Sequence, residues 1–150
     1  MSQDAAPIDP ASLLEQAPDA LVFADRDGII RVWNAGAERV FGFTAGDAIG
    51  QDLNIIIPEQ FRDQHWTGYD RALAAGETKY RGQSLPTKAL RADGSQCYVE
   101  LSFSIIKDAG GAVVGAMAQA RDITERFERD RAMRRRIKEL EAAQAESTSR

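Results

Sequence analysis

Residues 98–106 carry two alternating sets of side chains, and this alternation constrains the fold more than any other feature of the chain. One set is apolar and comprises Val99, Leu101, Phe103 and Ile105. The other set comprises Tyr98, Glu100, Ser102 and Ser104. Because successive side chains of a strand point to opposite faces, the segment predicts an antiparallel strand with one face buried in a core.

The alternating strand is predicted to span residues 96–106, and four more strands are predicted at 19–24, 29–33, 79–91 and 112–121. Turn sequences rich in Asp and Gly separate neighbouring strands at 25–28, 92–94 and 108–111. Capping side chains, prolines and glycine stops predict helices at 11–16, 35–41, 58–75 and 123–145, with a single helical turn before Gly50. This order indicates an α+β fold, in which helices gather on one face of a five-stranded antiparallel sheet.

Length and composition limit the domain organisation and the classes of function. The 150 residues suit one domain at 10–122 followed by a helix at 123–145, with disordered tails at 1–9 and 146–150. A net charge of -4 argues against nucleic-acid binding. We expect a cytoplasmic protein without a membrane span, because the chain lacks a signal peptide and any long apolar run. A disulfide framework is excluded because Cys97 is the single cysteine of the chain. We do not expect an enzyme, because the sequence contains no recognisable catalytic motif.

Short motifs spread over residues 13–125 resemble the family of PAS domains. They are Pro18-Asp19-Ala20, Asp27-Gly28-Ile29-Ile30, Trp33-Asn34-Ala35, Ala37-Glu38-Arg39-Val40-Phe41-Gly42, Ala48-Ile49-Gly50-Gln51, Arg91-Ala92-Asp93-Gly94-Ser95 and Arg121-Asp122-Ile123-Thr124-Glu125. The resemblance implies a sensory and dimerisation module of the bacterial regulator type. It also implies a pocket between sheet and helices that holds haem, flavin, a small organic acid or nothing, with signals passing through the sheet to flanking helices.

The helix predicted at residues 58–75 carries His65, the single histidine of the chain. At ~100° per residue, one stripe of this helix contains Phe61, His65, Gly68 and Ala72, with Tyr69 beside it. A neutral imidazole on an inner helix face is either an iron ligand or a packing residue. The glycine indicates room for a flat macrocycle or close packing on the sheet, because an interior glycine costs ~1 kcal/mol relative to alanine.

The same helix resembles the haem-binding PAS domains of oxygen-sensing histidine kinases. Those domains carry Pro-Glu, five intervening residues and an iron-ligating histidine, as Pro58, Glu59 and His65 do here. The resemblance implies haem b on His65, with Arg71 and Lys79 contacting its propionates. On the distal side of the haem, those kinases have an arginine that hydrogen-bonds bound oxygen, and Leu85 stands at the corresponding position here. Leu101 and Phe103 correspond to apolar contacts on the same side.

Two other interpretations of the pocket compete with haem. In flavin photoreceptors of this family a reactive cysteine stands where this chain has Leu53, and Cys97 lies on a later strand. Thiol–flavin chemistry is therefore disfavoured, whereas non-covalent flavin or another small ligand stays open. The second interpretation is a cofactor-free interaction module whose pocket is filled by its own side chains. Trp33 and Trp66 are predicted to be structural.

The C-terminal helix predicts a homodimer. Met133, Ile137 and Leu140, followed by Gln144, have the spacing of a two-stranded coiled coil. The basic residues at 131–138 are interrupted by no aromatic side chain and adjoin glutamates, which favours a solvated helix face over nucleic-acid or lipid binding. Because the chain carries no kinase, cyclase or DNA-binding output of its own, we expect a separate output protein to receive the signal.

Overall fold

The computed structural model describes residues 6–80 and 83–148, and its elements follow the predicted order. The helices are α1 (Pro10–Gln16), α2 (Ala35–Phe41), α3 (Ala45–Ala48), α4 (Arg62–Ala75) and α5 (Thr124–Thr148), with 3-10 turns at Leu53–Ile56 and Glu59–Phe61. The strands are β1 (Ala20–Asp25), β2 (Ile30–Trp33), β3 (Leu85–Leu90), β4 (Gln96–Lys107) and β5 (Val113–Asp122). All pairings are antiparallel in the order β2-β1-β5-β4-β3, which confirms the predicted fold class.

The turn between β1 and β2 is stabilised by one aspartate. Asp25 Oδ1 accepts hydrogen bonds from the backbone N–H groups of Asp27 and Ile29, and Oδ2 accepts one from Arg31 Nε at 2.8 Å. Gly28 has φ +78°, a conformation that glycine adopts without steric cost. A Cβ at this position would also lie 2.3 Å from the ring of Trp66 on α4. The turn therefore stabilises the hairpin and also provides the surface on which Trp66 of α4 packs.

The sheet has one inner face, which packs on the helices, and one outer face. Pairing places Leu101 opposite Ala120 and Phe103 opposite Ala118, so the apolar set of β4 shares a face with alternate residues of β5. By the same alternation, Tyr98 and Glu100 lie on the outer face. The prediction that the apolar set of β4 faces the core is confirmed at Val99, which is 1% exposed.

Three predicted boundaries were wrong. The helix expected from residue 58 begins with a 3-10 turn, because Pro58 is extended and no side chain caps the turn; α4 itself starts at Arg62. The strand expected over 79–91 is shorter, since β3 begins at Leu85 and Gln83 N–H donates to the Tyr80 carbonyl instead of to a neighbouring strand. Helix α5 continues to Thr148, past its predicted end at 145. Residues 1–5, 81–82 and 149–150 of the predicted tails and strand lie outside the described residues.

Candidate functional site

A cavity of about 370 Å³ lies between the inner face of the sheet and α2, the segment of the two 3-10 turns and α4. Its walls come from these helical segments and from four of the five strands, β1, β3, β4 and β5. They are formed by Val22, Ala24, Phe41, Leu53, Ile56, Ile57, Phe61, His65, Tyr69, Pro86, Thr87, Lys88, Ala89, Val99, Leu101, Phe103, Ala116, Met117 and Ala118.

Small side chains on the central strands create this space. Ala116 and Ala118 of β5 pair with Ala24 and Val22 of β1, and all four line the cavity. A methyl group reaches less far from the sheet than a leucine or phenylalanine side chain, so helices held at normal packing distance leave a void above these positions. The predicted site did not include these alanines. Their signal in the sequence is the alternation of alanine at 116, 118 and 120 in a strand.

Five of the predicted ligand-contacting residues lie together on the cavity wall. They are Phe61, His65, Tyr69, Leu101 and Phe103. Leu53, at the position of the flavin-reactive cysteine, also lines the cavity. Cys97 is buried and its pKa is raised by burial, but it does not line the cavity. Trp66 lies behind the wall, where its Nε1–H donates to Asn54 Oδ1 at 2.8 Å.

The helical stripe predicted through Gly68 and Ala72 was wrong, because the buried face of α4 is rotated away from it. The buried side chains of α4 are Tyr69 and Leu73. At ~100° per residue this face is centred some 60° from His65, on the side opposite Gly68. Gly68 is exposed, and a Cβ built on it would meet nothing within 4 Å. It therefore provides neither room for a macrocycle nor close contact with the sheet.

The predicted charged contacts do not reach the cavity. Arg71 is exposed, because it lies further round α4 on the solvent side. Lys79 is exposed beyond the end of α4, with its Nζ 5.1 Å from the ring centroid of Tyr80.

Leu85, the predicted distal residue, begins the edge strand β3 opposite Leu101 and does not line the cavity. These three predicted contacts are therefore absent from the site as folded.

His65 is the chemically distinctive residue of the wall. Its ring stacks on Tyr69 with centroids 5.8 Å apart and meets Trp66 edge-on at 4.8 Å. Nδ1 is buried and has no hydrogen-bond partner among the described residues. Burial lowers the pKa of His65 from its usual 6.5, because a charged imidazolium is poorly solvated there. The side chain is therefore a neutral imidazole at pH 7, and its Nδ1 is enclosed by protein atoms.

Tyr69 contributes packing rather than a free polar group. Its hydroxyl oxygen lies 2.5 Å from the carbonyl oxygen of Asp25 and 3.2 Å from that of Ala24, so the hydroxyl donates to the end of β1. Burial, followed by the charges of Asp25, Asp70 and Asp27, raises the pKa of Tyr69 to about 12. The hydroxyl thus stays protonated and fastens α4 to the sheet beside the cavity.

The residues of this cavity fit a haem in part only. A neutral imidazole on an apolar wall suits iron, but Nδ1 lacks the protein acceptor that ordinarily orients a ligating histidine. The predicted propionate partners are also out of reach. The cavity volume of about 370 Å³ also lies near the lower end of the range for small-molecule sites, which is about 300–1,000 Å³. The residues present therefore supply an imidazole on an apolar wall for this cofactor and lack the propionate contacts.

We expect the stability of the domain to fall between about pH 7 and about pH 5 through His65. The unfolded chain keeps a histidine pKa near 6.5, whereas the folded pKa is lower. Between these two values the unfolded state binds more protons, so this contribution is complete above 6.5 and is lost as the pH falls. Asp19 and Asp25, whose pKa values lie below 3.8, titrate outside this window.

Urea unfolding at the two pH values measures this difference, with His65→Phe as the comparison. The variant is expected to show a smaller loss of unfolding free energy than the wild type. An equal loss in both proteins would mean that His65 is not the group responsible.

No cluster of metal-binding side chains is present among the residues that the structure describes. Within the same residues, no helix has both the length and the apolar character needed to cross a membrane.

Fold and cavity together define a class of protein: a small α+β domain with a ligand-sized space between an antiparallel sheet and its helices. The family model for the PAS fold matches residues 14–128. The chain belongs to this family. A PAS domain from Colwellia psychrerythraea has a similar structure, with a TM-score of 0.67 and 26% identity, over 77% of this chain and 94% of that one.

Two curated relatives are similar in sequence. An uncharacterised protein of Azorhizobium caulinodans is 35% identical over 125 residues, and sensor protein FixL of Bradyrhizobium diazoefficiens is 32% identical over 114 residues. The matches cover 83% and 76% of this chain, but only 17% and 22% of those proteins. The likeness therefore concerns a PAS sensory domain and not the whole of either relative.

Proposed function

We propose that this chain is a sensory module in which occupancy of the cavity changes how α5 is held on the outer face of the sheet. It acts by binding and not by catalysis. The observation that carries the proposal is the position of β4. Its inward residues line the cavity, and its outward residues hold the start of α5.

The contacts between β4 and α5 are specific. Tyr98 stacks on Phe127 with ring centroids 3.9 Å apart, and Glu100 forms an ion pair with Arg126 at 3.1 Å. Thr124 Oγ1 accepts a hydrogen bond from the backbone N–H of Tyr98 at 3.0 Å. Val99 and Leu101, which alternate with these residues, line the cavity. A shift of β4 caused by a ligand would therefore directly move the residues that contact the start of α5.

Filling the cavity with a side chain tests this relay without knowledge of the ligand. Ala118→Leu adds bulk on the cavity wall, and we expect faster amide hydrogen exchange at residues 124–131 of α5. Ser104→Leu is the matched control, because Ser104 is an exposed outer-face residue of β4. Hydrogen exchange measured by mass spectrometry gives the readout. Unchanged exchange in Ala118→Leu, with the fold intact, would contradict the proposal.

Dimerisation through α5 is the second part of the proposal. Met133, Ile137 and Leu140 are 60%, 48% and 52% exposed, which is unusual for large apolar side chains on one helical stripe. A parallel, in-register pair of helices buries this stripe and places Arg136 near the partner's Glu141, an attractive pair of charges. The dimer would carry the signal to a separate output protein. A monomeric mass in light scattering would contradict this arrangement.

Haem b on His65 is a second candidate for the ligand. The likeness to FixL, the spacing of Pro58, Glu59 and His65, and the imidazole on the cavity wall support it. The volume of the cavity and the positions of Arg71 and Lys79 count against it. If haem is the ligand, the absorption spectrum should show a strong Soret band after haem is added to the wild type. The same band should be absent in His65→Ala. Non-covalent flavin has weaker support, and a cofactor-free module is the alternative if no ligand binds.

A further inference from the structure

We infer that the cavity binds a small uncharged alcohol or phenol, apolar over most of its surface, whose hydroxyl meets the imidazole of His65. The inference rests on the proposed function, since it names the chemical class of ligand for the same cavity. Three properties of the wall lead to it: its volume, its lack of charge and its one unpartnered polar side chain.

The volume limits the size of the ligand. A cavity of about 370 Å³ suits a compact organic molecule better than a large cofactor. This volume is near the lower end of the range for small-molecule sites, which is about 300–1,000 Å³.

The wall provides no charge to pair with a charged ligand. Lys88 is the one charged residue among the described residues of the wall, and its Nζ lies on the outer face, 5.6 Å from the ring centroid of Tyr98. His65 is neutral because burial lowers its pKa. A carboxylate or phosphate buried here would therefore lose its hydration without gaining a counter-ion, which is strongly unfavourable. An uncharged ligand avoids this cost.

The polar groups of the wall select a hydroxyl. The hydroxyl of Tyr69 is already bonded to carbonyl groups of β1, and that of Thr87 donates to the Leu85 carbonyl at 3.3 Å. His65 makes no hydrogen bond with any described residue; its Nδ1 is enclosed by protein atoms, so Nε2 is the nitrogen that a ligand in the cavity would meet. A neutral imidazole offers either a donor or an acceptor at a given nitrogen, depending on its tautomer. A hydroxyl group both donates and accepts, so it satisfies His65 in either tautomer.

Three probes of nearly equal shape test the inference on the full chain by isothermal titration calorimetry: 2-naphthol, naphthalene and 2-naphthoate. We expect 2-naphthol to bind one molecule per chain, about tenfold more tightly than naphthalene, because only the former satisfies the imidazole. The anion 2-naphthoate should bind at least about tenfold more weakly than 2-naphthol. In His65→Phe, 2-naphthol and naphthalene should bind equally. Gln64→Phe, at the exposed neighbouring position of α4, should behave as the wild type.

Several results would overturn the inference. They are tighter binding of 2-naphthoate than of 2-naphthol, equal binding of 2-naphthol and naphthalene to the wild type, no binding of any probe, or stoichiometric haem binding with a Soret band that His65→Phe abolishes. Circular dichroism verifies that His65→Phe is folded. If that variant does not fold, the comparison of the three probes on the wild type decides the outcome.

The failure of this inference is distinguishable from that of the proposed function. If 2-naphthol binds as expected but leaves amide exchange of α5 unchanged, and Ala118→Leu also leaves it unchanged, the ligand class stands and the relay fails. If Ala118→Leu loosens α5 while none of the probes binds, the relay stands and the ligand class fails.

Discussion

Asn34→Ala is expected to lower the free energy of unfolding by about 4 kcal/mol, because one buried side chain joins four backbone groups. Oδ1 accepts hydrogen bonds from the backbone N–H groups of Leu21 and Ala37, at 2.8 and 2.9 Å. Nδ2 donates to the carbonyl groups of Leu14 and Asp19, at 2.8 and 3.1 Å. Asn34 is 1% exposed, so water cannot replace these bonds after truncation. Urea unfolding measures the loss.

The chain offers a matched control for this substitution. Asn54 is only partly buried and its side-chain amide accepts a single hydrogen bond, from Trp66, so Asn54→Ala should cost about 1 kcal/mol. Asn34→Asp separates the two roles of Asn34, because it keeps the acceptor and removes the two donors. Equal losses for Asn34→Ala and Asn54→Ala would show that the four bonds of Asn34 are not the basis of its effect.

Gly36→Ala is expected to destabilise the domain by about 3 kcal/mol or more, although alanine is the better helix former. A Cβ at Gly36 would lie 2.3 Å from the carbonyl oxygen of Asp19 and 2.9 Å from the backbone nitrogen of Ala20. Both atoms belong to the backbone at the start of β1, so they cannot move aside as a flexible side chain can. Helix α2 would have to lift off the sheet.

Gly68→Ala provides the opposite expectation with the same chemical change. Gly68 lies inside α4 and is exposed, and its new methyl group would meet nothing within 4 Å. The substitution should therefore raise the free energy of unfolding by about 0.5–1 kcal/mol through helix propensity alone. Thermal and urea unfolding of both variants give the comparison. A similar effect of the two substitutions would contradict the packing described for α2.

The elements of this fold were largely predictable because their signals are local. The alternation through β4 needs only the geometry of a strand, and Asn34 caps α2 through its bond to Ala37, three residues on. The start of α4 was not predictable to the same degree. Pro58 favours a helix start in the sequence, but the chain forms a 3-10 turn first, and the competing geometries differ little in energy.

The candidate site was predicted in outline, with errors that share one physical cause. The imidazole of His65 and the phenyl rings of Phe61 and Phe103 do lie on the cavity wall. Helix α4 is rotated about its axis so that Gly68 and Arg71 face solvent. The spacing of residues along a helix does not reveal this rotation, because the spacing is the same whichever face is buried. A helix with few large apolar residues gives a weak periodic signal, so the sheet beneath it determines which face is buried.

The sequence by itself determined the strands, the turns between neighbouring strands and the place of the single histidine on a helix, because each depends mainly on residues close in the chain. Only the tertiary structure decided how large the cavity is and which groups face it. Ala24 of β1 and Ala116 of β5 are far apart in the chain and meet only through strand pairing. Their small side chains leave a space beneath α4, and the rotation of α4 places Arg71 on the solvent side, away from that space.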